Sequence, residues 1–187
     1  MKKQFGKTII VTLLLPFFVL CVFTANVGAS QKSGKNSVIE QTYPQAQAEV
    51  LETFGAIAES IVAGAGKGYD SEFMDQLISF HAYGDKFVEF NGGMSFDSAG
   101  NEHNERQLFG VDVEEVIQFA PREGTLKVAV YFGNVANLTF ISDFILDHKE
   151  YGVITVNNLI TLLFVKTQGE WKMVHEHHSP VPEVGTP

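Results

Sequence analysis

The second half of the chain is a succession of segments with strand periodicity, and this limits the fold more than any other feature of the sequence. Apolar residues alternate or run together in the segments 126–132, 135–146, 154–165 and 171–179. Short turns rich in Gly and Asn separate these segments, as they do in β-hairpins. We therefore predict a largely antiparallel meander, whose apolar face must be covered by other parts of the chain.

Helical periodicity is strongest in the first half of the chain. Apolar side chains recur at helical spacing in the segments 50–61 and 73–78. The segment 95–105 is predicted to be a polar loop, and the segment 111–119 a short helix. Helices followed by strands indicate an α+β domain, with the N-terminal helices packed on the concave face of a curved, mostly antiparallel sheet.

Residues 1–29 have the pattern of a signal peptide. Lysines precede an apolar run from Ile9 to Phe23, and small residues at 27–29 have the spacing that a signal peptidase requires. We expect cleavage after Ala29, export to the periplasm or the exterior, and no membrane association afterwards. An uncleaved membrane anchor is the alternative, although Pro16 interrupts the run and the run is short for a bilayer span.

The remaining sequence is predicted to form a flexible lead (30–42), one domain (43–182) and a short tail (183–187). The single cysteine of the chain, Cys21, lies in the apolar run, so the exported form would contain no disulfide. The formal net charge is −9, and removal of three N-terminal lysines would make it more negative. Because such a charge repels phosphate backbones and anionic lipids, we predict no nucleic-acid partner.

Four ionisable side chains occupy consecutive positions of the last predicted strand. Successive side chains of a strand point to opposite faces, so His175 and His177 share one face while Glu176 and His178 share the other. Imidazole titrates near neutral pH, so either face could exchange protons, bind an anion or hold a metal ion. The sequence does not indicate which face is concave.

This order of elements, with the segments 132–136 and 169–179, resembles the SnoaL-like branch of the nuclear transport factor 2-like superfamily. The ending is also similar to the association domain of calcium/calmodulin-dependent kinases, which closes with a Trp strand and a His-x-His-x-Ser segment. The resemblance implies a cone in which a curved sheet wraps around helices, with a pocket at the wide end and frequent dimerisation through the sheet. Isomerases, dehydratases, cyclases and non-enzymes share this fold, so it does not select a reaction.

Two pairs of residues are predicted to form the site in such a pocket. His175 and His177 are the predicted catalytic residues of an acid/base enzyme, while Glu176 and His178 are predicted to bind ligand if their face is the concave one. Hydrogen bonding of His175 and His177 to a neighbouring strand or a second subunit is the structural alternative.

Further polar residues are predicted to contact the ligand. Tyr131 and Asp143 lie in otherwise apolar strands, and Tyr83 lies near the expected pocket rim. A metal site would combine the His-x-His pair of the last strand with His81, His103 or a carboxylate. Because the third and fourth ligands have no recognisable spacing, we predict no metal and no cofactor.

Three functions are compatible with the sequence. The leading hypothesis is an exported protein that binds a small, partly apolar or anionic molecule inside the cone and dimerises through its sheet. The second is an acid/base enzyme of the isomerase or lyase type, without a redox cofactor. The third is a structural or oligomerisation module whose interior is filled by some of the sixteen phenylalanines.

The predicted signal peptide can be tested directly. When the full chain is expressed in a secreting bacterial host, the exported product should begin at Ser30, because cleavage is expected after the small residue Ala29. N-terminal sequencing and intact mass measure this. A product that retains Met1 in the membrane fraction would instead identify residues 1–29 as an anchor.

Overall fold

The computed structural model describes residues 42–182. The predicted signal peptide (1–29) and tail (183–187) lie outside the described residues, and so does the predicted lead except for Thr42. No helix within 42–182 has the length and apolar character needed to cross a membrane.

Three α-helices are present in this part of the chain: α1 (Pro44–Gly64), α2 (Glu72–Ser79) and α3 (Ser98–Gln107). The first two correspond to the segments with helical periodicity. The side chains of Ser71 and Asp97 cap α2 and α3, since each accepts a hydrogen bond from a backbone N–H of the first turn. A π-helix, Leu108–Asp112, continues directly from α3.

Two local predictions are wrong. The segment 95–105, predicted to be a loop, contains most of α3, which the Asp97 cap allows to begin in a polar sequence. The segment 111–119, predicted to be a helix, lies mainly in a strand. Its buried Val113 and Val116 are three residues apart because a bulge lies between them, so the strand shows a helix-like spacing.

Eight strands form one sheet within the described range. Their bounds are β1 Val88–Asn91, β2 Met94–Phe96, β3 Val113–Pro121, β4 Lys127–Tyr131, β5 Val135–His148, β6 Gly152–Thr155, β7 Asn158–Thr167 and β8 Glu170–Pro180. The main order is β2-β1-β8-β7-β5-β3, and β4 and β6 also pair with β5. Only the β1–β8 pairing is parallel among these strands, so the sheet is mostly antiparallel, as predicted.

The apolar core lies between α1 and one face of the sheet. On β5 every second residue is buried, from Ala136 through Leu138 and Phe140 to Leu146, and β7 contributes Phe164 to the same face. These side chains pack against the buried stripe of α1 in one continuous cluster. Helices covering the inner face of a bulged, mostly antiparallel sheet confirm the predicted α+β class.

A bulge in β8 changes which side chains face the interior. Leu163 pairs with His175 while Phe164 pairs with Met173, so Val174 is the extra residue. Trp171 and Met173 are buried before the bulge, and Glu176 is buried after it. The bulge therefore moves the inward positions from odd to even residue numbers along the strand.

Candidate functional site

A cavity of about 320 Å³ lies between the helices and the concave face of the sheet. Phenylalanines from α1, the π-helix and the central strands line its wall: Phe54, Phe109, Phe119, Phe140 and Phe144. Polar side chains that line it include His81, Glu105, Glu176 and His178. The phenylalanine rings thus surround an interior space that they do not fill.

A buried ion pair stands at the polar end of the cavity. His81 lies two residues after α2, and its Nε2 is 2.9 Å from Oε1 of Glu176 on β8. Its Nδ1 is 3.2 Å from the backbone oxygen of Leu77. Both ring nitrogens therefore face acceptors, and the imidazolium form satisfies both by donating to each of them.

The backbone fixes His81 beside β8. Met173 donates its N–H to the oxygen of Phe80 at 2.8 Å, and Ala82 donates its N–H to the oxygen of Met173 at 2.7 Å. These two bonds hold the segment after α2 against β8 like a short additional strand. These backbone bonds consequently hold the His81 ring within hydrogen-bond distance of Glu176.

Glu176 is held as a carboxylate by two imidazoles. Burial alone would raise its pKa, but hydrogen bonds from His178 and His81, together with their charges, lower the pKa below its ordinary value. Nε2 of His178 is 3.3 Å from Oε2 of Glu176. Burial would lower the pKa of His178, but its hydrogen bond to Glu176 and the charges of Glu176 and Glu89 raise it.

An asparagine connects this pair with a second buried carboxyl group. Nδ2 of Asn101, on α3, donates to Oε2 of Glu89 at 2.8 Å and lies 3.4 Å from Oε1 of Glu176. Glu89 also accepts a 3.0 Å hydrogen bond from Nδ2 of Asn91. The hydroxyl of Tyr83 donates to Oδ1 of Asn101. The network links α3 with strands β1 and β8.

Glu105 supplies a carboxyl group of different character. It projects into the cavity from α3, one helical turn after Asn101, and makes no side-chain hydrogen bond or ion pair with any residue in 42–182. Burial, followed by the charges of Glu176 and Glu89, raises its pKa well above the ordinary value. One end of the cavity therefore contains two carboxyl groups whose pKa values are shifted in opposite directions.

The predicted site residues of β8 divide between the two faces of the sheet. Glu176 and His178 line the cavity. His175 and His177 lie on the outer face, where each ring packs against Phe90 in a T-shaped arrangement. Nδ1 of His175 is 2.8 Å from the backbone oxygen of Val88, and Nε2 of His177 is 2.9 Å from Oγ of Ser179.

The other predicted ligand contacts lie away from the cavity wall. Tyr83 stacks on His81 with ring centroids 4.9 Å apart, and its hydroxyl donates a hydrogen bond to Asn101. Tyr131 is exposed at the end of β4, and Asp143 pairs with Arg122 at 2.8 Å. Tyr83 is the one of these three residues that contacts the polar network around Glu176. The roles of Tyr83, Tyr131 and Asp143 in ligand binding remain predictions.

The sequence interpretation did not identify Glu89, Asn101 or Glu105. The sequence pattern predicts a loop at the last two, and in a loop their four-residue spacing has no structural meaning. An Asp97 helix cap would have placed both on one face of a helix. Within the described part of the chain, no group of three or more His, Cys, Asp or Glu side chains is arranged to hold a metal ion.

Comparison with known families agrees with this architecture. The SnoaL-like domain profile matches residues 50–183. The chain belongs to the SnoaL-like domain family. No curated protein matches this SnoaL-like chain.

Solved structures share the fold of this SnoaL-like domain at low sequence identity. A nuclear transport factor 2-like superfamily protein from Salmonella enterica serovar Typhimurium is 15% identical, with a TM-score of 0.62 over 77% of this chain and 96% of its own. A candidate dehydratase from Streptomyces avermitilis is 18% identical, with a TM-score of 0.61 and coverages of 75% and 99%. The calcium/calmodulin-dependent kinase II hub homology domain from Chlamydomonas reinhardtii is 17% identical, with a TM-score of 0.53 and coverages of 73% and 99%.

The raised pKa of Glu105 predicts a pH-dependent gain in stability for Glu105→Gln. The folded protein holds the Glu105 proton, whereas the unfolded chain releases it above about pH 4.5, so this residue destabilises the fold increasingly as pH rises past that value. The variant should gain little at pH 4 and progressively more towards pH 8. Urea denaturation followed by the fluorescence of Trp171, the only tryptophan, measures the difference.

Glu102→Gln is the matched control for this prediction, because Glu102 lies on the same helix but pairs with Arg106 at 3.0 Å. Its stability relative to the wild type should not increase with pH. An equal pH trend in both variants would contradict the assigned state of Glu105.

Proposed function

We propose that this protein binds a small, mostly apolar molecule in the cavity, with one polar group of the ligand at the end formed by Glu105, Glu176 and His178. The observation that supports this most directly is an interior space with phenylalanine walls and a cluster of ionisable side chains around Glu176. A cavity of about 320 Å³ lies near the lower limit of ligand pockets, which range from about 300 to 1,000 Å³. A molecule of one or two rings matches that size.

Assembly and export complete the proposal. The outer face of β5 and β7 presents partly exposed apolar residues, including Leu159, which is 46% exposed. Such a face favours pairing of two copies through their sheets, and a hub homology domain shares this fold. The N-terminal pattern of residues 1–29 supports binding outside the cytoplasm, in the periplasm or beyond the cell.

Filling the cavity should abolish binding. Val156 lines the cavity, so a Val156→Phe side chain would occupy ligand volume and should weaken binding at least tenfold. The environment-sensitive neutral ketone prodan serves as the probe, and its fluorescence titration gives the dissociation constant.

Val153→Phe is the control, because Val153 is 63% exposed on the same strand region. It should bind prodan as the wild type does. Saturable prodan binding that Val156→Phe leaves intact would place the binding elsewhere and overturn the proposal.

Acid/base catalysis is the second candidate function, and the contrast between two carboxyl groups favours it. Environments that push the pKa values of neighbouring carboxyls apart are typical of acid/base sites. Glu105, as a neutral acid, can donate a proton to a ligand oxygen, while His178 in its neutral form can accept one from an adjacent carbon. This is the chemistry of an isomerase or a lyase, and the fold neighbour from Streptomyces avermitilis is described as a candidate dehydratase.

Deuterium exchange tests this candidate without knowledge of the substrate. In D₂O the protein should accelerate exchange of the methyl protons of acetophenone, followed by proton NMR. His178→Gln should reduce the accelerated rate about a hundredfold, since general acid/base groups typically contribute 10²–10⁴. His177→Gln, on the outer face, should leave the rate unchanged. Equal losses in both variants, or no acceleration by the wild type, would speak for binding alone.

A further inference from the structure

Two carboxyl groups, those of Glu105 and Glu176, line the polar end of the cavity, and a third, that of Glu89, is joined to Glu176 through Asn101. Glu176 receives hydrogen bonds from His81 and His178. Glu89 accepts hydrogen bonds from the amides of Asn101 and Asn91. The Glu105 carboxyl group faces the cavity and has no such partner among residues 42–182.

Within residues 42–182, no lysine or arginine is free to pair with Glu105. Neither lysine nor arginine is among the described residues that line the cavity. Arg106, its neighbour in sequence, turns away to pair with Asp75 at 2.9 Å and Glu102 at 3.0 Å. Both ring nitrogens of His81 lie against acceptors, and His178 is already engaged by Glu176. His148 also lines the cavity, and its Nδ1 is 3.1 Å from the backbone nitrogen of Glu150. None of these described side chains is paired with the Glu105 carboxyl group, and a ligand can supply that partner.

The apolar walls of the cavity are compatible with an organic cation. Five phenylalanines line the cavity, and ring faces attract organic cations in addition to excluding water. The charges of Glu176 and Glu89 act on Glu105 and would act with opposite sign on a bound cation. An anionic ligand would face repulsion from both carboxylates, while a neutral ligand would gain only a hydrogen bond from Glu105.

We propose that the ligand is an apolar amine, whose ammonium group pairs with the Glu105 carboxylate while its hydrocarbon part lies against the phenylalanine walls. This rests on the proposed binding function and narrows its ligand class. When a protonated amine binds, Glu105 loses its proton to solvent, so formation of the ion pair is accompanied by proton release. No covalent bond changes.

A matched set of ligands tests the ammonium group separately from the hydrocarbon. Isothermal titration calorimetry of the exported chain at pH 7 would compare 3-phenylpropylamine, 3-phenylpropan-1-ol and 3-phenylpropanoate. We expect the amine to bind at least tenfold more tightly than the alcohol, and the carboxylate to bind most weakly. Titrations in two buffers of different ionisation enthalpy should show proton release with the amine and none with the alcohol.

Glu105→Gln should remove the advantage of the amine while leaving the alcohol within about twofold of its wild-type affinity. Glu102→Gln should retain the advantage, because Glu102 pairs with Arg106 and is not among the residues that line the cavity. If Glu105→Gln does not fold, proton release by the wild type decides the question.

The outcomes separate this inference from the proposed binding function. If the alcohol binds as tightly as the amine, or if amine binding releases no proton, the inference is wrong while binding in the cavity stands. If prodan binds and none of the three ligands does, the amine assignment is likewise wrong. If neither prodan nor any of the three ligands binds, both are overturned.

Discussion

The buried carboxylate of Glu176 is the interaction on which the polar half of this structure depends. It accepts from His81 after α2, from His178 two residues along its own strand, and lies within reach of Asn101 on α3. A buried charge is tolerated only when hydrogen bonds and opposite charge compensate its lost hydration. The segment after α2, helix α3 and the paired strands β1 and β8 are thereby joined around one group, and the cavity lies beside it.

This arrangement gives neighbouring carboxyl groups different chemical states. The pKa of Glu176 is lowered because two imidazoles lie against it, whereas the pKa of Glu105 is raised by burial and by the charges of Glu176 and Glu89. Both face one cavity, where aromatic walls reduce screening by water. Glu105 can therefore donate a proton beside the negative charge of Glu176. This difference between the two carboxyl groups is the basis of both the acid/base chemistry and the cation recognition proposed above.

The sequence predicts the architecture better than the site, for physical reasons. The alternation of β5 and the helical stripe of α1 reflect burial of one face, which is encoded locally by every second or every third to fourth residue. The pairing of Glu176 with His81 joins residues 95 positions apart, and no local pattern records it. Asn101 and Glu105 were missed because α3 is polar almost throughout and begins with a cap rather than an apolar stripe.

The extra residue Val174 determines which side chains of the last strand face the interior. Alternation beyond that point is offset by one position, which is why Glu176 and His178 point inward while His175 and His177 point outward. Deleting Val174 would remove the bulge and leave a regular strand in which Met173, Glu176 and His178 still face inward. If instead the bulge closed with every residue retained, two imidazoles would enter the hollow and its central carboxylate would be turned to solvent. The acidic character of the interior therefore depends on one irregularity of the backbone as well as on the residue types of the strand.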